Sequence, residues 1–166
     1  MRSAASTRII CPPGSRPGKF SSRRPSVHAH TYDYAIVRVV PKVERAEFVN
    51  VGVILSCPGR NYLEARIELD ERRVSALDPT LDLATVRRHL DAIPVVCRGG
   101  DSAGAIGKLS PRERFHWLVA PRSTIIQTSP VHSGRCTEPD RALERLLDTM
   151  VRPAHAEAGD GNAGTT

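Results

Sequence analysis

Apolar residues recur at period two through the first half of the chain and at steps of three and four through much of the second, which predicts strands followed mainly by helices. Tyr32 to Val40 (YDYAIVRVV) is β-branched and aromatic, and Pro41, unable to donate to a ladder, ends it. After a polar turn at Lys42 to Ala46, the segment Glu47 to Cys57 sets Val49, Val51, Val53, Leu55 and Cys57 on one continuous apolar face. Its other face reads Phe48, Asn50, Gly52, Ile54 and Ser56, with a small polar pair between apolar flanks. Pro58-Gly59-Arg60-Asn61 is turn chemistry, and Tyr62 to Leu69 follows as the third strand of an antiparallel meander.

Helical spacing takes over from there. Asp70 can cap a short turn through Leu77, and Leu83, Val86, Leu90 and Ile93 form an amphipathic stripe that ends near Pro94. Ser110-Pro111-Arg112-Glu113 combines an N-cap serine, a proline at the first helical position and a glutamate at the third, opening a helix with Phe115, Trp117, Leu118 and Val119. Arg122 to Thr128 reads as a fourth strand. Thr137-Glu138-Pro139-Asp140 reads as a second capping box, before a helix carrying Leu143, Leu146, Leu147 and Met150. The elements together predict an α+β fold: an antiparallel sheet of about four strands, a three-strand meander plus one later strand, with about four helices mainly on one face.

The chain has 166 residues, 40% of them hydrophobic and only 4% aromatic, so its core is aliphatic and one domain accounts for it. The net charge of +6 is confined to the first thirty residues. Arg2, Arg8, Arg16, Lys19, Arg23 and Arg24 precede the first acid, Asp33, and the remaining 18 basic residues match the 18 acidic ones. A basic balance points to nucleic acid or an anionic surface, and here that indication belongs to an extension rather than to a folded face. Residues 1–30, rich in Ser, Pro, Gly and Arg, read as a disordered N-terminal extension, 31–151 as a single α+β domain and 152–166 as a disordered C-terminal tail. Pro12 and Pro13 interrupt the Ile9-Ile10-Cys11 run that a secretory signal would need to be continuous, and the scattered prolines oppose the amphipathic helix of a transit peptide. Two readings of the extension stand: a basic arm for nucleic acid, and a functionless stretch translated from an early start. No apolar run has the length of a bilayer span.

Motifs with defined spacing are few. Cys11, Cys57, Cys97 and Cys136 form no CxxC pair and no Cys/His cluster, which argues against a zinc site and for reduced, mostly buried thiols. Gly99 to Lys108 is glycine-rich but has Ser102 where a phosphate loop needs its first glycine and Leu109 where it needs Ser or Thr; it reads as a flexible linker or mobile flap. There is no nucleophile elbow, Glu44 and Glu47 read as solvated turn carboxylates, and His116 reads as a helix surface residue. No catalytic residue, metal ligand or cofactor is indicated.

Polar residues inside strands are the remaining signal. Arg38 interrupts an apolar strand and Asn50 sits at the centre of the next; pairing around the 41–46 turn brings the two nearly opposite each other, with Gly52 leaving room beside them. In PRSTIIQTSPVHSG, Ser123, Gln127 and Ser129 alternate with Thr124, Ile126 and Thr128, and His132 follows Pro130. This face is an edge turned to water, a buried structural network, or, with Arg38, Asn50 and Arg122, a polar pocket in which guanidinium groups hold an anion.

The run YDYAIVRVVPKVERAEFVNVGVIL, the LDERR stretch, RERFHWLVAPRST and QTSPVHSG together resemble the bacterial family called domain of unknown function 3037, over about Tyr32 to Val151. Ala46 departs from the pattern, standing where the turn calls for glycine or a charged residue. The resemblance implies a small bacterial cytoplasmic domain with no assigned activity, associated with kinase-like proteins of the HipA class. The leading expectation is an accessory domain that binds a protein partner through Arg38, Asn50, Arg122, Gln127 and His132. The alternatives are an enzyme or ligand-binding domain for a phosphorylated or nucleotide-like molecule, with His132 as acid or base, and nucleic-acid binding through the basic arm.

Overall fold

The computed structural model describes residues 28–153. Nearly all of the basic extension and of the C-terminal tail, and with them the nucleic-acid reading, lie outside the described residues. Strands β1 (His30–Val39), β2 (Val49–Cys57) and β3 (Tyr62–Ile67) form the expected antiparallel meander. The first connection is a 3-10 turn over Val43–Arg45, closed by Ala46 at φ 54°, the conformation that makes glycine the expected residue there. The second, over Pro58–Arg60, ends on Asn61 at φ 48°, a conformation asparagine tolerates.

Two later strands share the other edge of β1. β4 (Ile126–Thr128) pairs with Val37 to Val39 and β5 (His132–Cys136) with His30 to Tyr34, giving the order β3-β2-β1-β4 in an open five-stranded sheet, with β5 pairing β1 farther along the edge that β4 occupies. The expected fourth strand is thus only three residues long, and Pro130 separates it from a fifth. Ser129 bridges the break. Its amide donates to the Ile36 carbonyl at 2.8 Å and its Oγ accepts from the Ile36 amide at 2.9 Å, so a hydroxyl stands where a ladder carbonyl would.

A bulge in β2 decides what each face holds. Val37 pairs with Gly52 but Arg38 with Asn50, leaving Val51 as an extra residue. Val49, Val51 and Ile54 therefore join Val37 and Val39 in one core, while Val53, Leu55 and Cys57 turn to the other. The continuous face expected from Val49 to Cys57 is cut in two. Gly52 lies on the side of Val37, away from Arg38, where a Cβ would come within 2.6 Å of the Arg66 carbonyl. It permits close approach of β2 and β3 rather than leaving room beside Arg38 and Asn50.

Helices α1 (Glu71–Leu77), α2 (Leu83–Arg98), α3 (Gly104–Gly107) and α4 (Pro111–Val119) pack on the first face, and α5 (Pro139–Met150) covers part of the second. Asp70 and Asp82 cap α1 and α2, each accepting from two backbone amides, and the Ser110/Glu113 capping box forms as read. The box at Thr137 does not: Glu138 is the N-cap and its side chain makes no capping bond. Pro94 does not stop α2, which runs on to Arg98 because Val96 and Cys97 are buried in the core, and ends at Gly99 with φ 72°. The buried Arg114 holds that end, with Nη2 donating to the Cys97 carbonyl at 3.2 Å, Nη1 to the Leu109 carbonyl at 2.5 Å, and its guanidinium resting where a Gly99 Cβ would sit. The glycine-rich segment beyond is closed, not a linker or flap. The Gly100 amide donates to the Gly107 carbonyl at 3.0 Å, and a Cβ on Gly107 would lie 2.0 Å from the Gly100 carbonyl oxygen.

Candidate functional site

Strand register places Asn50, Arg38 and Gln127 in one row across β2, β1 and β4, since Arg38 pairs with Asn50 on one side and with Gln127 on the other. All three belong to the face that α5 partly covers. The Arg38 guanidinium lies over the Phe48 ring, 4.3 Å from its centroid, and Phe48 is 46% exposed. Asn50 reaches the other way: its Nδ2 donates to the Met150 carbonyl at 2.9 Å and fastens the last turn of α5 to the sheet. Arg38 Nε and Asn50 Oδ1, a donor and an acceptor, are buried and have no hydrogen-bond partner among the described residues. Gln127 turns its Nε2 to the Thr124 carbonyl at 3.0 Å.

His132 pairs with Tyr34, their rings 5.4 Å apart, on the same face as Arg38. Tyr34 and Arg38 are four positions apart on β1, which sets the two sites roughly 13 Å apart along the strand. His132 is exposed and does not reach the row. Arg122 is elsewhere. It sits on the side of α2 and α4, its guanidinium 4.4 Å from the Trp117 ring centroid and its Nη2 donating to the Trp117 carbonyl at 2.9 Å. Of the five residues singled out from sequence, three form a row, one lies farther along the same face, and Arg122 is apart from them. Ser129 is 2% exposed and structural, so this part of the polar face is a buried network.

Arg122 and Trp117 flank a pocket of about 590 Å³ between α2, the end of α4 and residues 122–128. Val86, Ile93, Val96, Leu118 and Ile126 supply apolar wall; Trp117 and Ile125 stand at 40% and 39% exposure, and His89 joins the lining from α2. Sequence reading missed this site. The available signal was Trp117 itself, the one tryptophan of an aromatic-poor chain, with an arginine five residues on.

No thiol with a shifted titration is an activated nucleophile. Burial pushes the Cys97 thiol up to about 12, and burial together with the neighbouring Cys57 thiol raises that of Cys136, so both are protonated at neutral pH. The Glu47 carboxylate is taken by Arg45 at 2.9 Å, which lowers its pKa, and His116 lies exposed on α4. Among the described residues no three His, Cys, Asp or Glu side chains gather as a metal would require, and no helix is long and apolar enough to cross a membrane.

No curated protein and no solved structure matches the chain. The family model described as Protein of unknown function (DUF3037) matches residues 34–151. That stretch begins within β1 and ends just past α5, so it takes in the row, His132 and the Trp117–Arg122 pocket alike, and the chain belongs to the DUF3037 family.

Proposed function

We propose that the protein is an accessory domain that binds a protein partner through the half of the sheet face left open by α5. One observation carries this reading: α5 packs on β2 and β3, and beside it Arg38 and Gln127 stand in a row next to the half-exposed Phe48, with His132 farther along the same face. An arginine laid on an exposed aromatic ring is the kind of anchor that protein interfaces favour, and the flanking amide and imidazole supply a polar rim. The partner surface that complements it offers an apolar side chain beside a carboxylate or carboxamide. Val131, also 46% exposed at the β4–β5 break, extends the apolar contact. The reading of a phosphorylated ligand clamped by two arginines has less support, because Arg38 and Arg122 lie on opposite faces of the sheet.

The family resemblance makes a kinase-like protein of the HipA class the first partner to test. The full chain is co-expressed with such a protein from the same organism and the complex measured by size exclusion and titration. A complex is expected, weakened about tenfold or more by Phe48→Asp or by Arg38→Glu. Unchanged affinity in both variants removes the surface, and failure of the wild-type chain to form any complex removes the kinase-like partner.

A further inference from the structure

The pocket walled by α2, α4 and β4 lies apart from the docking face, and its chemistry is different. We propose that it binds a small amphipathic carboxylate, with the apolar body inside the cavity and the carboxylate on Arg122. Its volume of about 590 Å³ is in the range of small-molecule sites, and its walls are aliphatic. Arg122 and His89 are the ionisable residues of the lining, with no Asp or Glu, so the charge it presents suits an anion. The bond to the Trp117 carbonyl uses one of the five guanidinium hydrogens of Arg122, and among the described residues no carboxylate pairs with it. A planar fork fixed over a tryptophan face is suited to a planar carboxylate.

Two other occupants fit less well. A nucleotide needs more than one cation for its phosphates, and this lining offers a single arginine. An added peptide strand needs a free edge, whereas β4 is three residues long with Pro121 and Pro130 on either side of it.

Trp117 is the only tryptophan in the chain, so its emission reports on this pocket alone. The full chain is titrated with decanoate, below its micellar range, and with decanol of equal length. A saturable change in emission is expected for decanoate, with decanol about tenfold weaker. Arg122→Gln brings decanoate to the level of decanol while decanol binds as before, a pattern that loss of folding does not produce. Ala92→Phe, which adds bulk to the lining from the exposed side of α2, abolishes both responses. The proposal is overturned by the absence of a saturable decanoate response, by equal affinity for the acid and the alcohol, or by an unaltered titration in Ala92→Phe.

Discussion

Ser129 sits where Pro130 breaks the sheet edge, and the Ile36 amide depends on its hydroxyl. Ser129→Ala leaves that buried donor without a partner and is expected to cost about 1–3 kcal/mol, read as a lower urea midpoint with an unchanged slope. Ala46 offers the opposite case. A residue with a Cβ held at φ 54° is strained, and Ala46→Gly is expected to raise stability by up to about 1 kcal/mol, a few degrees in Tm, by removing the strain. Asn50 was legible as an anomaly, a carboxamide within an apolar strand, and its pairing with Arg38 followed from hairpin geometry. Its bond to Met150, 100 residues away, did not, since nothing local to either segment encodes that contact.

At the scale of elements, the strands and caps that depend on neighbours in sequence were readable: the meander, the Asp70 cap and the Ser110/Glu113 box all form. Ser110→Ala is expected to cost about 1 kcal/mol by thermal unfolding, since α4 loses the hydroxyl half of that box. What was not readable depended on tertiary packing. Pro94 ordinarily ends a helix, yet the core contacts of Val96 and Cys97 outweigh one missing main-chain bond and carry α2 another turn. Period two assigned Val49 through Cys57 to one face because a bulge leaves no mark on a run of valines. Arg122 read as a strand residue and is a pocket residue, because strand pairing begins only at Ile126. Leu147, fully buried in the core under α5, tests the second layer: Leu147→Ala is expected to cost about 2–5 kcal/mol in chemical unfolding.

Across the whole molecule, carboxylates tie the pieces together. Arg152, just past α5, engages Glu68 beyond β3 as well as Glu144 and Asp148 of its own helix, and the hydrogen bond from Arg152 lowers the Glu68 pKa. Bonds from Thr85 and Ser110 likewise lower Asp82 and Glu113. Each of these groups has a folded-state pKa below its unfolded value, so the unfolded chain binds more protons in acid. Their stabilisation is present above the unfolded values and is lost as pH falls toward the folded ones. The expected Tm is flat between pH 7 and 5 and drops below about pH 4; a Tm that holds to pH 3 would contradict this linkage.

The extra residue at Val51 has a consequence for how this architecture tolerates change of length. Odd positions of β2 feed the helix-covered layer before that point and even positions after it, so excising Val51 alone restores strict alternation and leaves Ile54 against the helices and Val53, Leu55 and Cys57 toward α5. A single deletion at this point is therefore absorbed by loss of the bulge, whereas a single insertion turns the residues beyond it to the wrong layer.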